Sequence, residues 1–437
     1  MSAAAPALRV RTGPLDPTFA DGSDRALSRW SDAVAEWAMS DHAELLEWIA
    51  PARASHGEPA RGHLEVSLHP AAAPLSVRLD RAGRLCAAAR TAAVGPGYHA
   101  YVWRALRGLA EALGAAIEYV DDPTSYGSVR GEGSDADLDG AFGAWVWALA
   151  ERAVAARAPV QLAEGPRFEA GDDDALLGPM GPLTWAAAEA MVRAAPDAEA
   201  TLAQARALLP WPRGATAAER LVRRATAAMW CDVRWRPALT EAEAETIAAA
   251  LDDLERARDL DPDIVAPERA WRALAALRDG DAEALASDPA SVQVGYRRRP
   301  VRVAPFGDWS VRIDGALAET SDDGAWIAFD ERRLLSLRSG TLADLIGEPD
   351  PRAARGRQPD AATALAALLP DGAPALRGGL RYRVRTGRDA GTFSLDAAVA
   401  LAEPGAPGIC ALSTRAEGPG GERWARALLD SLEPPPP

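Results

Sequence analysis

Signals for β-strands are absent from the middle of this sequence and present on both sides of it, and this contrast most constrains the fold. From about Thr184 to Gly280 the sequence carries four helical patterns joined by short turns that contain proline. Alternating apolar and polar residues, typical of half-buried strands, precede this stretch and return from Val292 onward. A single core stops growing near roughly 250–300 residues, and the chain has 437. We therefore predict an α+β, multi-domain protein.

The same patterns predict where the domains begin and end. Residues 1–166 are expected to form an N-terminal α/β domain, residues 167–290 a helical region, and residues 291–437 an antiparallel sheet closed by a helix. The first residues are expected to be loose, and Ser23 is expected to cap the first long helix.

The sequence contains no lysine and no asparagine, so all 48 basic residues are arginine. Beside the alanine-rich background, this absence is typical of the codon bias of a GC-rich bacterial genome. It excludes a Schiff-base lysine, the phosphate-binding lysine of P-loop enzymes and the usual protein kinases.

The charge is unevenly distributed along the chain. Residues from Ala290 onward hold 19 arginines and 19 acids, so the preceding part carries the whole net charge of -15. An acidic surface repels a phosphate backbone, and we expect no nucleic-acid partner. No stretch reaches the roughly 18 apolar residues of a membrane span, and the start does not resemble a signal peptide. These features predict a cytoplasmic protein.

Metal-binding and nucleophilic signals are weak. Cys86, Cys231 and Cys410 lie far apart, which argues against a disulfide framework or a zinc ribbon. All five histidines precede residue 100. His63 and His69 could share a strand face and, together with His99 or Cys86, could form a metal site. No close ligand pair is present, and we predict no metal site and no catalytic residues.

One glycine-rich turn suggests a nucleotide site. Residues 95–100 read G-P-G-Y-H-A, which matches G-x-G-x-x-A between a predicted strand and a helix, and Asp121 ends the next strand. In a dinucleotide fold Gly95 and Gly97 would let the backbone approach phosphate, and Asp121 would bind a ribose hydroxyl. The alternative is a simple turn that begins a helix, because Pro96 removes an amide from the loop.

A second motif has the opening of a calcium-binding loop. Asp135, Asp137, Asp139 and Gly140 form D-x-D-x-D-G. The twelfth position, which should be a bidentate glutamate, is Val146. An acidic helix N-terminus, favoured by the helix dipole, is the simpler interpretation.

Arginines alternate with apolar residues in two predicted strands of the C-terminal domain. In GDWSVRID, Trp309, Val311 and Ile313 are expected to face inward and Arg312 outward, and GLRYRVRT repeats the pattern. The arginines expected on outer faces are Arg312, Arg381, Arg383 and Arg385. Exposed arginines commonly form weak pairs with carboxylates, so these side chains either pair within the chain or bind an acidic partner.

The run VGYRRRPVRV places four arginines within six residues. Strand alternation predicts Tyr296 and Arg298 on one face and Arg297 and Arg299 on the other, so the run is not a single basic stripe. Pro300 is expected to mark an edge or a bend.

Two parts of the sequence resemble known architectures. The piece LDDLERARDLDPDIVAPERAWRALAAL resembles the junction between tetratricopeptide helices, although no 34-residue repeat recurs. The last third resembles the Mog1/PsbP-like fold, through GDWSVRI (residues 307–313), the strand at residues 408–413 and the helix at residues 424–432. The resemblance implies a sheet finished by a C-terminal helix. It also implies a binding or chaperone-like adaptor role, without shared catalytic residues or cofactors.

Two functions follow from these observations. The first is a non-enzymatic binding or adaptor protein that acts through protein–protein contacts. The alternative is a nucleotide- or phosphate-binding enzyme that uses the turn from Gly95 to Ala100.

Overall fold

The computed structural model describes residues 4–20, 23–53, 59–128, 133–162, 168–194, 198–280, 294–306, 309–322, 324–342, 345, 360–377, 379–401 and 408–434. The residues form two compact units. The N-terminal unit comprises Met1–Gly165, Ala170–Pro237 and Ala244–Tyr296. The C-terminal unit comprises Pro166–Glu169, Ala238–Glu243 and Arg297–Pro437.

The N-terminal unit contains a six-stranded sheet. Its strands are β1 (Ala7–Pro14), β2 (Trp48–Arg53), β3 (Pro59–Ser67), β4 (Leu75–Leu79), β5 (Arg84–Arg90) and β6 (Ile117–Asp121). Their order is β2-β3-β4-β5-β1-β6, and all neighbours are antiparallel. β5 and β6 are therefore parallel to each other with β1 between them, and helix α3 (Pro96–Ala112) connects them as a split β-α-β unit. This differs from a dinucleotide fold, in which the crossover joins strands of a parallel sheet.

Strand β1 corrects the expectation of a loose N-terminus. It lies between β5 and β6, and Leu8, Val10 and Thr12 are buried. The alternation is visible in the sequence LRVRT, but the strands that cover it lie far along the chain. Pairing across that distance is what makes the segment a strand.

The described part of the N-terminal unit has nine helices, and five of them lie in the middle stretch, where the sequence showed only four helical patterns. They are α1 (Pro17–Ala20), α2 (Asp24–Asp41), α3, α4 (Asp135–Ala156), α5 (Trp185–Ala194), α6 (Ala198–Leu208), α7 (Ala217–Cys231), α8 (Glu241–Leu260) and α9 (Glu268–Arg278). Ser23 caps α2, because its hydroxyl accepts the backbone N–H of Ala26 at 3.1 Å. A small sheet, β7 (Val160–Gln161), β8 (Asp174–Gly178) and β9 (Gly181–Thr184), lies between α4 and α5 in the sequence.

Most of the predicted helical region belongs to the N-terminal unit rather than to a separate body. Helices α5 and α6 pack on α4. Buried side chains from Leu8 to Trp211 form one hydrophobic core, in which Trp30, Trp103 and Phe142 are almost completely buried. A shared core of this kind makes the sheet and the first helices of the middle region mutually dependent for their burial.

The C-terminal unit is an antiparallel sheet with helices against it. Its elements are β10 (Pro300–Val303), β11 (Val311–Asp314), β12 (Ala318–Asp322), β13 (Ala325–Phe329), β14 (Arg333–Gly340), α10 (Ala361–Leu368), β15 (Ala373–Arg377), β16 (Leu380–Asp389), β17 (Thr392–Leu401), β18 (Ile409–Glu417) and α11 (Gly421–Asp430). The main sheet has the order β12-β13-β14-β18-β17-β16-β15, and α11 packs on β17 and β18. The chain is thus an α+β, multi-domain protein, as predicted.

The arginine-rich run is not the continuous strand that alternation suggested. Tyr296–Arg298 form a short 3₁₀ helix, and the strand begins only at Pro300, as β10 in a two-stranded sheet with β11. Tyr296 is fully buried, and the nearly buried Arg297 forms an ion pair with Glu319 at 2.7 Å. Strand alternation was the wrong prediction here, because successive side chains also point in different directions in a 3₁₀ turn, which has three residues per turn.

The alternation predicted for GDWSVRID is present in the described residues 309–314, whereas Gly307 and Asp308 lie outside them. Trp309, Val311 and Ile313 are almost completely buried, and Arg312 is exposed.

Across the described ranges, no helix is long and apolar enough to span a membrane.

Candidate functional site

A cleft of about 610 Å³ in the N-terminal unit is the candidate functional site. Three segments form it: the end of α2 with the loop after it, the first turns of α3, and the loop before α7 with the start of α7. Its lining residues are Ser40, Asp41, His42, Ala43, Glu44, Leu45, Gly97, Ala100, Tyr101, Arg104, Trp211, Arg213, Gly214, Ala215 and Arg220. This volume lies within the range typical of ligand sites, roughly 300–1,000 Å³.

The glycine-rich turn builds one wall of the cleft by letting Trp211 approach. The Trp211 N–H donates to the Val94 carbonyl at 2.7 Å, and the Gly97 N–H donates to the Trp211 carbonyl at 3.0 Å. A Cβ on Gly95 would lie 2.6 Å from the Trp211 carbonyl oxygen, and a Cβ on Gly97 would overlap the Trp211 ring. Close packing within the chain therefore requires both glycines. Their predicted phosphate-binding role stays a prediction, and Gly97 lines the cleft.

Trp211 lies at the centre of an aromatic cluster. Its ring centroid is 5.3 Å from that of Tyr101 and 5.8 Å from that of Tyr98. The Arg220 guanidinium lies over the Trp211 ring, 5.3 Å from the centroid, and donates to the Ala215 carbonyl at 3.2 Å. Stacking of this kind fixes the plane of the guanidinium, so Arg220 has a defined orientation beside the cleft.

His42 and Tyr101 are hydrogen-bonded to each other through Nδ1 and the phenol oxygen. Burial raises the pKa of Tyr101 to about 12 and lowers the pKa of His42, although the negative charge of Asp41 opposes the second effect. Both side chains are therefore neutral near pH 7, and the phenol can donate to Nδ1. Within the described part of the chain, the buried Nε2 of His42 has no hydrogen-bond partner.

Arg213 is held in the cleft wall by the acidic start of α4. It forms ion pairs with Asp135 and, at 3.2 Å, with Asp139, which is also 3.5 Å from Arg206. Burial acts to lower the pKa of Arg213, but its interactions with the two carboxylates outweigh burial and raise the pKa. The charge of Arg213 is therefore compensated within the chain.

The same contacts explain the D-x-D-x-D-G motif. Helix α4 begins at Asp135, so the motif is helical and not a loop, and the Ser134 hydroxyl caps the helix by accepting the Asp137 N–H at 3.1 Å. Asp135 and Asp139 pair with arginines. In the residues that the structure describes, no group of histidine, cysteine, aspartate and glutamate has the arrangement of a metal site.

Arg104 differs from Arg213 in having no compensating carboxylate. It is exposed on α3 and lines the cleft. Among the described residues, its side chain has no hydrogen-bond or ion-pair partner. An arginine in this state can donate all five N–H groups to a ligand.

A buried ion pair is connected to the loop that carries Glu44, one of the lining residues. The Arg224 guanidinium binds both carboxylate oxygens of Asp253, with Nε 2.5 Å from Oδ2, and it donates to the Glu44 carbonyl at 3.2 Å. Asp253 is 3% exposed. Arg224 thus links α7 and α8 to the loop that carries Glu44. Burial also raises the pKa of Glu47, whose carboxylate lies 3.9 Å from Arg224.

The predicted ribose-binding acid does not line the cleft. Asp121 is exposed and lies 3.6 Å from Arg9. The neighbouring Asp122 is buried instead, and its Oδ2 is 3.1 Å from Nε2 of His99, whose Nδ1 is 2.8 Å from the Thr91 hydroxyl. The end of the strand in the sequence indicated Asp121 as the functional acid. The carboxylate that bonds to α3 belongs instead to Asp122, the next residue in the chain.

This Thr91–His99–Asp122 chain contains groups used in nucleophilic catalysis, but its position is structural. Thr91 and His99 are 0% exposed. Burial acts to raise the pKa of Asp122, but hydrogen bonds from His99, the Gly127 N–H and Thr124 outweigh burial and lower the pKa. The carboxylate is thus fully occupied in tying the β6–α4 loop to α3.

The remaining metal-ligand candidates are separated. Nε2 of His63 is 2.8 Å from the Ser76 hydroxyl, and His69 accepts the Ala71 N–H at 3.1 Å. The Cys86 thiol lies 4.0 Å from Asp80, and burial raises its pKa.

The outward arginines of the C-terminal unit contact groups within that unit. Arg312 pairs with Glu169 at 2.6 Å, and Arg385 pairs with Asp396 at 2.8 Å. Arg383 donates to the carbonyls of Gly372 and Pro370 at 2.9 and 2.7 Å, and Arg381 is exposed. A role for these residues in partner binding stays a prediction.

Most of the cleft could not be predicted from the sequence. His42, Tyr101, Trp211 and Arg220 come from three separate stretches of chain, and none belongs to a recognisable motif. The available signal is indirect: WPRG, with proline and glycine around an aromatic residue and an arginine, is an unusual stretch between two helices.

No protein-family model matches the sequence. No curated protein matches it. Among solved structures, a crystal structure from Bacteroides thetaiotaomicron VPI-5482 is similar over 29% of this chain and 45% of that chain, with 11% sequence identity and a TM-score of 0.18. The match spans less than half the length of that protein, and with so low a TM-score it supports no conclusion about fold or function.

Proposed function

We propose that this chain is a non-enzymatic binding protein that acts as an adaptor through protein–protein contacts, and that its cleft receives a charged segment of a partner protein. The observation that carries the proposal is the position of Arg104, which has no partner among the described residues, beside Tyr101, Trp211 and Arg220. Tryptophan, tyrosine and arginine are the residues most enriched at the energetic centres of protein interfaces.

Pre-organisation supports a binding role. The Trp211 backbone is fixed to Val94 and Gly97, and Arg220 stacks on the Trp211 ring. Side chains that are already ordered lose little further conformational entropy when a partner binds. The cleft therefore meets a main requirement of specific recognition.

The buried Thr91–His99–Asp122 chain supports the same choice over catalysis. A group must touch the reacting atoms to act as a nucleophile or base. Thr91 and His99 are 0% exposed, so they cannot reach a substrate in this conformation.

The C-terminal unit fits the proposal as a second binding module. Its antiparallel sheet with α11 packed on β17 and β18 is consistent with the resemblance to the Mog1/PsbP-like fold, whose members serve mostly as binding or chaperone-like adaptors. Within the proposal the protein acts in the cytoplasm of a bacterium. The thiol state of Cys86, Cys231 and Cys410 agrees with a reducing compartment.

A phosphate-bearing small ligand is the second candidate, and one observation favours it. Gly97 and Ala100 of the predicted nucleotide-binding turn line the cleft together with Arg104 and Arg220. Arginine binds phosphate with paired hydrogen bonds. This candidate competes for the same cleft and can be tested on the same variants.

A blocked cleft tests the proposal directly. Ala43 is exposed and lines the cleft, so Ala43→Trp should fill it without disturbing the core. Ala112→Trp is the matched control, because Ala112 is exposed on α3 and lies outside the lining. We expect random heptapeptides displayed on phage to be enriched on the native chain and on Ala112→Trp but not on Ala43→Trp.

Equal enrichment on both tryptophan variants would refute the cleft as the protein-binding site. A thermal-shift series with ATP, NAD and inorganic phosphate separates the second candidate, because a ligand at a hundred times its Kd adds about 2.7 kcal/mol of stability. A shift with one of these ligands that Ala43→Trp abolishes would favour the phosphate-binding function over the adaptor.

A further inference from the structure

The cleft displays uncompensated charges of both signs. Arg104 and Arg220 contribute positive charge, and Asp41 and Glu44 contribute negative charge. In the described part of the molecule none of these four side chains forms an ion pair, either with each other or with another residue. Arg213, the remaining arginine of the lining, is already paired with carboxylates and adds little to this pattern.

The four charged side chains all affect the pKa of Tyr101. Burial is the main reason that the pKa of Tyr101 is raised to about 12. Beyond burial, Arg104 and Arg220 lower that pKa, whereas Glu44 and Asp41 raise it. Coulomb interactions between partly exposed groups fade beyond a Debye length of about 8 Å at physiological salt. All four residues line the same cleft as Tyr101.

The two signs come from different walls. Asp41 and Glu44 lie at the end of α2 and in the loop after it, whereas Arg104 lies on α3 and Arg220 on α7. Hydrogen bonds hold these walls in place: Arg224 donates to the Glu44 carbonyl, and Trp211, on which Arg220 stacks, is bound to Val94. The acids and the arginines thus stay apart instead of neutralising each other.

A purely anionic ligand fits this arrangement poorly. A carboxylate placed at Arg104 and Arg220 also approaches Asp41 and Glu44, and like charges repel it. A ligand with a cation on the side of Asp41 and Glu44 removes that cost and gains a second attraction. Charge complementarity of this kind sets orientation and specificity.

We infer that the partner segment carries both an acidic and a basic side chain, with the acid bound at Arg104 and Arg220 and the base bound at Asp41 and Glu44. This inference rests on the proposed function, because it names the chemistry of the segment that the cleft receives. It differs from a general preference for acidic partners, which the arginines alone would suggest.

The test uses the full chain and a phage library of random heptapeptides. The native protein is panned beside Arg104→Gln and beside the double variant Asp41→Asn, Glu44→Gln; these three positions are exposed, so folding should be retained. Matched controls are Arg25→Gln and the double variant Asp32→Asn, Glu36→Gln, which change exposed charges on α2 outside the lining.

On the native chain we expect peptides with both signs to be recovered more often than acidic-only peptides of equal abundance. Loss of one half-exposed ion pair should weaken a two-signed peptide by about threefold. Arg104→Gln should therefore reduce the selection for acids, because Arg220 remains, and the Asp41/Glu44 double variant should remove the selection for bases. The control variants should select as the native chain does.

The possible failures are distinguishable. If acidic-only peptides are recovered as often as two-signed ones, and Ala43→Trp abolishes both, the inference is overturned and the adaptor function stands. If enrichment is the same on Ala43→Trp as on the native chain, the proposed function itself is overturned. If free glutamate or arginine displaces the peptides at equal molar concentration, the cleft binds small molecules and not a protein segment.

Discussion

The backbone N–H of Gly97 donates to the Trp211 carbonyl oxygen at 3.0 Å, and Gly97 has no room for a Cβ against the Trp211 ring. This contact joins the first turn of α3 to the loop before α7. It also explains the glycine in a motif that otherwise indicates a phosphate site. Both segments contribute residues to the lining of the cleft.

Gly97→Ala should therefore destabilise the N-terminal unit. The added Cβ must displace the Trp211 ring, and overpacking of this kind costs about 1–3 kcal/mol. Gly108→Ala is the matched control, because Gly108 lies in the same helix and a Cβ added there would meet no atom within 4 Å. It should stabilise the helix by about 0.5–1 kcal/mol. Urea unfolding followed by tryptophan fluorescence measures both changes, and equal stabilities for the two variants would contradict the packing argument.

The buried ion pair between Arg224 and Asp253 makes a second prediction. Arg224→Met leaves a buried carboxylate without a partner, and this should cost about 3–5 kcal/mol of unfolding free energy. Arg193→Met removes an exposed pair with Glu189 and should cost no more than about 0.5 kcal/mol. Adding Asp253→Leu to Arg224→Met should recover much of the loss. A double variant less stable than Arg224→Met alone would show that the pair is not an isolated charge interaction.

Local patterns in this chain are predictable from the sequence. Trp309, Val311 and Ile313 alternate with exposed residues as expected, because strand period depends only on neighbours in sequence. The Ser23 cap is likewise predictable from its own helix. In contrast, β1 becomes a strand by pairing with β5 and β6, and although both of these strands are predictable, no local pattern shows that β1 lies between them.

The site could not be predicted for the same physical reason. Gly95 and Gly97 stand out in the sequence, but the cause is Trp211, which is remote along the chain. The acidic run at Asp135 indicates a helix start, yet its partner Arg213 is equally remote. Arginines that come from different segments have no regular spacing in the sequence, so no sequence pattern predicts that they meet at one site.

His69 should make the stability of the N-terminal unit depend on pH. Burial, aided by the charge of Arg224, lowers its pKa from 6.5 to about 3 in the folded protein. Between these values the unfolded chain binds a proton that the folded chain does not. His69 therefore leaves the free energy of unfolding unreduced above pH 6.5 and makes it fall as the pH is lowered toward 3.

The expected slope is about 1.4 kcal/mol of unfolding free energy per pH unit in that window. His69→Gln should remove it, while the half-buried His63 provides the control variant His63→Gln. The measurement is a series of urea titrations between pH 7 and about pH 4.5, the upper part of the window. If the native chain and His69→Gln have the same slope there, His69 is not buried in the neutral form.

The charges around the cleft can be tested without any ligand through His42. Burial lowers the pKa of this imidazole, and the negative charge of Asp41 acts in the opposite direction and raises the pKa. Asp41→Asn should therefore lower the pKa of His42 further, because the imidazolium loses the charge that stabilises it. NMR of the imidazole protons measures the titration, and His42→Gln assigns the signal. Asp32→Asn, on the exposed face of the same helix, should leave the titration unchanged.

An unchanged His42 pKa in Asp41→Asn would mean that Asp41 is directed into solvent. The two-signed cleft would then lose one of its two acids, and recognition of a basic side chain would depend on Glu44 alone.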